Sequence, residues 1–384
     1  MAEGSLRARA AVLRAIGQPM AIEEVAVGPV GPGDVLVRVA AASLCHTDLE
    51  VIDGQLGLTL PAVLGHEVAG RIAALGEGVA SLAVGDPVVL SWNPHCGHCF
   101  HCDRAQPILC DQYLAQGPKA AHFDGRPRFA CDDGAPLHQL MYLGGFAEYL
   151  VVPAQQAVRV PAAMPLDRAC LLGCAVMTGF GAATRIAGIA WGETVLVLGA
   201  GAVGLAAIQG ARLAGARRVI AVDPNPARRA MAEAAGAVAL CDPAAEDPAA
   251  LARALTGGRG ADVVIEAAGS PAAFRTSVEA VRPGGRVVWL GKLGVNAELG
   301  FRWGALMQEK RIIRSSYGGA RPAEDFPAMA AAYLDGRLDL DSLVTDRIRL
   351  ADINAGFAAL RQGRAIRSVV VFDEGIVFEE GNAA

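Results

Sequence analysis

From Thr194 onward, short wholly apolar runs alternate with Ala-rich stretches of helical length: TVLVLG, a segment to about Ala214, RVIAVD, a segment through Met231, then DVVIEAAG, RVVWLG and RIIRSSYGG. A strand covered on both faces has no polar side, so it reads as a continuous apolar run, and strands joined through helical crossovers lie parallel. The rhythm predicts a doubly wound α/β domain. The first half reads differently. Asp34–Ala40, Val68–Ala73 and Pro87–Leu90 are short β-like runs bounded by turn residues. Past about Arg321, helix-like stretches lead to a last strand, Arg367–Phe372, and a polar, loose terminus after Asp373. That tail can complete the first domain. The expected division is 1–177, completed by 321–384, against 178–320, and 384 residues are enough for two cores.

The strand TVLVL runs into Gly199-Ala-Gly201-Ala-Val-Gly204 and then a helix. In a chain with 46 glycines the spacing alone is weak. Its context raises it: the second strand ends in Asp223, 19 residues after Gly204, where a carboxylate meets the ribose of a bound dinucleotide. Gly199 is expected to make the tight turn, Gly201 to let the backbone approach a pyrophosphate, and Gly204 to let helix pack on strand. The helix N-terminus supplies N–H donors and positive dipole. The motif predicts a Rossmann-type sheet domain that favours NAD over NADP, because Asp223 would repel the 2′-phosphate of NADP. Arg228 and Arg229 can accommodate such a phosphate, although a solvated helix start is the plainer reading of both. The bland alternative for the motif is a glycine-rich turn in an unrelated α/β domain.

Nine cysteines are present, and four of them form the run Cys96-x2-Cys99-x2-Cys102-x7-Cys110. Four thiolates this close can converge tetrahedrally on one zinc ion with no open position. A ferredoxin-type cluster places its fourth cysteine after three residues and follows it with proline, whereas here the gap is seven and Asp111 follows. His95, His98 and His101 interleave, so a mixed Cys/His set stays open.

Gly65-His66-Glu67-Val-Ala-Gly70-x5-Gly76-x2-Val79 resembles the signature of zinc-containing medium-chain alcohol dehydrogenases. The four-cysteine loop, GAGAVG with Asp223, GCAVMTGFGAA (Gly173–Ala183) and GRAIRSVVVF (Gly363–Phe372) follow in that family's order, so the resemblance runs from about Arg9 to Phe372. It implies a mainly β, GroES-like catalytic domain beside the Rossmann-type domain, and two zinc ions per chain. Cys45, His66 and Cys174 would hold the catalytic ion, a Cys₂His set for which alcohol dehydrogenase is itself the familiar example. Zinc lowers the pKa of a bound hydroxyl, which an alcohol needs before it gives up hydride. Asp48 matches the carboxylate that orients the histidine ring, and Glu67 sits behind the ion. Thr47 matches the hydroxyl that takes the alcohol proton. Glu50 stands where liver-type members have a relay histidine, so Glu50 or water receives that proton. His46 and Arg367 match contacts to the cofactor pyrophosphate, and Thr178 and Val203 match residues against the nicotinamide. Trp92 falls where the family has an aromatic wall, with Leu56, Tyr142 and Ser316 lining the rest of the pocket. Lone cysteines and histidines of this kind are otherwise buried core residues.

The expected function is alcohol–aldehyde oxidoreduction on primary alcohols, aliphatic or benzylic. Polyol-type members usually replace the third zinc ligand by an acid, and Cys174 speaks against them. The glutathione-dependent formaldehyde branch carries an acid and an arginine where Leu56 and Leu114 stand. A non-enzymatic NAD(P)-binding relative would not need every zinc ligand. A formal charge of −5 offers no basic excess for nucleic acid, and no apolar run reaches the ~18 residues of a spanning helix. The opening MAEGSLRARA lacks the apolar core of a signal peptide, so cytoplasm is expected. The insertion Lys119–Gly144 resembles a loop of dimeric members. A strand around Arg311–Tyr317 would end the cofactor sheet and offer an edge for a homodimer.

Overall fold

The apolar runs of the second half form a six-stranded sheet in a computed structural model that describes residues 6–116 and 122–372. Its spatial order is Ala239–Cys241, Arg218–Val222, Thr194–Leu198, Ala261–Glu266, Val281–Trp289 and Arg311–Arg314. Every pairing is parallel. The chain therefore starts at the middle, works outward to one edge, and returns past its first strand to the other, the 3-2-1-4-5-6 order of doubly wound sheets. The switch point lies between Thr194–Leu198 and Ala261–Glu266. Three connecting helices, Pro226–Ala234, Pro248–Leu255 and Pro271–Ala280, start with proline in the first turn. In each the preceding residue, Asn225, Asp247 or Ser270, accepts a backbone N–H through its side chain.

The first half builds two β structures. One is a mixed sheet ordered Ala157–Arg159, Pro87–Leu90, Glu67–Leu75, Asp34–Ser43, Ser368–Val371 and Asp346–Ile348, with Tyr149–Pro153 also on Asp34–Ser43. The other is a closed barrel of Leu6–Leu13, Ala21–Val27, Phe129–Ala130, Pro136–Gln139 and Ala62–Val63. Ser368–Val371 pairs antiparallel with Ala41–Ser43, so the C-terminal tail joins the sheet that carries the first motifs. Buried Val37, Val39, Leu44, Val68, Leu90 and Val370 share one core. Gly70 permits a close crossing here, since a Cβ at that position would lie 2.3 Å from the Arg38 carbonyl oxygen.

The described chain divides into two compact units. One holds the residues through Cys174, Arg321–Gly336 and those from Leu340 on; the other holds Ala175–Ala320 and Arg337–Asp339. The division falls three residues before the expected 177, because helix Ala175–Gly181 packs on helix Ala202–Leu213. A Cβ on Gly179 would stand 2.0 Å from the Val203 carbonyl oxygen. The edge strand is also shorter than expected. It stops at Arg314, as Tyr317 takes φ 55° and Gly318 φ 63° and the chain turns away. Of the insertion, 119–121 lie outside the described residues. The rest is not a plain loop: Phe129 and Leu137, both buried, pair with each other and supply two of the five barrel strands. Among the described residues no single helix is long and apolar enough to cross a membrane.

Candidate active site

Cys45 lies between the strand Asp34–Ser43 and helix His46–Ile52, His66 leads into Glu67–Leu75, and Cys174 follows the short turn Cys170–Gly173. The ligand atoms of Cys45, His66, Glu67 and Cys174 all lie within 4.8 Å of one another. A tetrahedral zinc with Zn–S near 2.3 Å places its sulfurs about 3.8 Å apart, a spacing that a set this close can meet. Asp48 holds the site from behind. One carboxylate oxygen accepts the Gly65 N–H at 3.0 Å and lies 3.3 Å from His66 Nδ1; the other accepts the Cys45 N–H at 3.1 Å. His66 Nε2 is buried and makes no hydrogen bond, as expected of a nitrogen reserved for a metal.

The same burial shapes the charges. A hydrogen bond from Cys174 brings the Cys45 thiol well below its usual range against its burial, with Arg367 and His66 assisting. Cys174 moves well up, through that shared bond first and burial second, so one proton serves the two sulfurs. Burial opposes the charge on His66, yet Asp48 and Cys45 outweigh it and raise its pKa well above normal. Burial pushes Glu67 up to about 7, with Arg367 pulling the other way. Arg367 is 3% exposed and donates from Nε and Nη2 to the Glu67 carboxylate, both at 3.3 Å, with Nη2 also 3.8 Å from Cys45 Sγ. The guanidinium expected at a pyrophosphate is thus found as the counterion of Glu67, behind the thiols.

On helix His46–Ile52, Thr47 is buried, His46 is exposed and Glu50 half-buried. His46 and Glu50 line an open depression of about 240 Å³ with Asp53 and Arg361, which pair with each other at 2.7 and 2.8 Å. The helix therefore leads in one turn from buried Thr47 to Glu50 at an open depression. Trp92, half-buried, follows the strand Pro87–Leu90 by two residues. Leu56 is half-buried; Ser316, in the second unit, is exposed. Tyr142 is a correction. Its side chain is 1% exposed and closed in by Tyr113 and Phe123, so it lines no open space, and its half-exposed neighbour is Met141.

The sulfurs of Cys96, Cys99, Cys102 and Cys110 also lie within 4.8 Å of one another, Cys96 and Cys102 at 4.0 Å. Backbone N–H groups serve them: Cys96 donates to Cys110 Sγ at 3.3 Å and Asp111 to Cys99 Sγ at 3.4 Å. Donation from Asp111 and Cys102 lowers Cys99 to about 6, while burial lifts Cys102 to about 12. The histidines stand apart from this cluster: His98 Nδ1 lies 2.8 Å from the Cys96 carbonyl oxygen and His101 Nδ1 3.1 Å from Gln106 Oε1. The four-thiol set is the one the geometry assembles.

In the second unit Gly199 has φ 93°, and a Cβ on Gly204 would meet the Gly199 carbonyl oxygen at 1.8 Å. Nothing lies within 4 Å of a Cβ on Gly201, which leaves open space over that turn at the switch point. Asp223, 4% exposed, accepts the Ala200 N–H at 2.8 Å and the Asn225 N–H at 2.9 Å, bracing the turn. Arg229 is tied to the Asp223 and Pro224 carbonyl oxygens and to Asp242 at 3.2 Å, whereas Arg228 is half-buried with Nε unbonded. Thr178 and Val203 are half-buried on the two helices that cross at Gly179. Sequence reasoning missed Glu266. This fully buried carboxylate ends the strand at the switch point and accepts the Ala268 and Gly269 N–H groups at 2.9 and 2.7 Å. Its signal was a charge inside the apolar run DVVIEAAG.

Residues 31–162 match the model of the alcohol dehydrogenase GroES-like domain and residues 202–335 that of the zinc-binding dehydrogenase. An S-(hydroxymethyl)glutathione dehydrogenase of Synechocystis is 35% identical over 95% of this chain and 100% of its own length. An alcohol dehydrogenase zinc-binding domain protein from Burkholderia ambifaria has 34% identity and a TM-score of 0.93, covering 96% of this chain and 100% of its own. A benzyl alcohol dehydrogenase from Acinetobacter calcoaceticus has 29% identity and a TM-score of 0.91 over the same shares.

Proposed function

The chain belongs to the zinc-containing medium-chain alcohol dehydrogenase family, and on that premise we propose that it moves a hydride reversibly between NAD and a primary alcohol, aliphatic or benzylic. The observation that carries this is the convergence of Cys45, His66 and Cys174 around a histidine nitrogen left unbonded in the interior. A zinc ion there supplies Lewis acidity toward the alcohol oxygen, and NAD supplies the hydride acceptor. The chain's own groups do the rest. Asp48 fixes the His66 ring, Arg367 holds the Glu67 carboxylate, and Thr47 takes the alcohol proton and passes it toward Glu50 or water. Cys96, Cys99, Cys102 and Cys110 would hold a second ion, which would cross-link their loop. The turn from Gly199 to Gly204 offers N–H groups to the pyrophosphate, with His46 as a cation for it. Asp223 meets the ribose with its carboxylate already held in place, and Arg228 lies close by. The same reading expects a cytoplasmic homodimer acting on small molecules.

The 35% relative favours a second reading, oxidation of the formaldehyde–glutathione adduct. Leu56, half-buried, and Leu114, 55% exposed, offer no charge to hold such an adduct. Turnover of ethanol, benzyl alcohol, 2-propanol and S-hydroxymethylglutathione with NAD and with NADP, on protein assayed for zinc, tests all of this. We expect two zinc ions per chain, the highest kcat/KM for a primary alcohol with NAD, and a narrower NAD–NADP gap in Asp223→Gly. The glutathione adduct as best substrate would establish the second reading instead, and better use of NADP would remove the role given to Asp223.

A further inference from the structure

The ring cluster around Tyr142 takes no part in the chemistry above. Met141 and Tyr142 both hold positive φ, 52° and 65°. There a Cβ crowds the backbone, and non-glycine residues stay only where their surroundings over-determine them. Gln139, itself fully buried, donates from Nε2 to the Tyr142 carbonyl at 2.7 Å. The Tyr142 ring lies 5.8 Å from Tyr113 and 5.6 Å from Phe123. Tyr113 sits on the short helix Asp111–Gln116, directly behind Cys110, and its ring stands 6.1 Å from Trp92 at 55°. A strained turn therefore ends a chain of rings that begins with the Trp92 indole.

We propose that Tyr113 and Tyr142 are positioning residues that fix the Trp92 indole, and so decide how much branching at the carbinol carbon the site admits. The inference rests on Trp92 walling the alcohol site. A wall excludes branched alcohols only if it cannot swing aside, and the indole turns on two side-chain torsions. Tyr113 blocks that swing on one side through a tilted ring contact in the favoured distance range. Tyr142, pressed under Tyr113 by the strained turn, keeps Tyr113 from yielding. The Tyr142 hydroxyl is buried without a hydrogen bond, so the position uses its ring and not its oxygen.

The test combines selectivity with a signal independent of turnover. In Tyr142→Leu the ratio of kcat/KM for 1-propanol over 2-propanol should fall about tenfold, the factor that an aromatic pair at the upper end of its range supplies. Tyr142→Phe should keep the ratio. With 5-fluorotryptophan the four tryptophans give four fluorine resonances, and Trp92→Phe assigns the one of interest. That resonance should shift or broaden in Tyr142→Leu, and in Tyr113→Leu if the first variant fails to fold, while Trp191, Trp289 and Trp303 stay put. A Trp92 resonance unmoved in both leucine variants overturns the proposal. A moved resonance with an unchanged ratio, or a wild type without alcohol turnover, overturns the placing of Trp92 at the alcohol site and leaves the bracing intact.

Discussion

Serine in place of Cys174 removes one thiolate from an open set, whereas serine in place of Cys99 breaks a closed set of four. The first variant should keep its fold and one zinc ion but lose turnover. The second should lose stability or solubility, because binding at structural zinc sites contributes on the order of 10 kcal/mol to folding. Metal analysis beside thermal melts checks this, and equal loss of structure in both would contradict the assignment. Thr47 carries a separate prediction. Its hydroxyl is covered, and general acid–base transfer contributes roughly 10²–10⁴-fold, so Thr47→Ala should depress alcohol oxidation by about that factor with NAD binding nearly intact. Glu50→Gln should alter the pH–rate profile if Glu50 receives the proton; an unaltered profile assigns that role to water. At this scale the cysteines were legible because four thiols spaced within one short loop serve little besides a metal. The partner of Arg367 was not, since Glu67 lies 300 residues away and only the pairing of the C-terminal strand brings them together.

Among elements, the buried parallel strands were legible because covering both faces removes polar residues from the sequence. Short barrel strands were not. Phe129–Ala130 and Pro136–Gln139 are two and four residues long, too brief for a period to show, and they read as an insertion. That segment carries its own pH dependence. His122 is 2% exposed, and its Nε2 lies 2.9 Å from the Val151 carbonyl oxygen. Burial first, then Arg128, drives its pKa down to about 3 from an ordinary 6.5. Between those values the unfolded chain binds a proton at this ring that the folded chain does not. Stability from His122 is therefore fully present above pH 6.5 and lost as pH falls toward 3, by about 1.4 kcal/mol per pH unit at most. Denaturant midpoints measured from pH 7 to 4 should fall less steeply for His122→Gln, which keeps a donor for Val151 without a titrating ring. Parallel slopes for the two proteins would show that His122 is not the group responsible.

For the whole molecule, the discontinuous first unit was legible because a lone apolar strand, Arg367–Phe372, had no partner in the cofactor sheet's rhythm and had to pair elsewhere. Arg311–Arg314 ends the sheet order and, among the described residues, pairs with a strand on one side alone, Val281–Trp289, so it forms an edge of the sheet. Ile313 is 37% exposed on it, and Val295, Trp303 and Met307 in the same unit are exposed by 94%, 78% and 56%. An edge of this kind invites pairing with another chain unless covered. A two-fold axis lets the edge meet its own copy antiparallel and continue one sheet through both chains, the isologous contact that dominates small oligomers. We therefore expect light scattering at micromolar concentration to give the mass of two chains. Ile313→Lys should shift it toward one chain, since a charge on the edge opposes pairing, while zinc content stays at the wild-type value. A one-chain mass for the wild type would refute the dimer, and a four-chain mass would show that the segment before Gly144 does not stop further assembly.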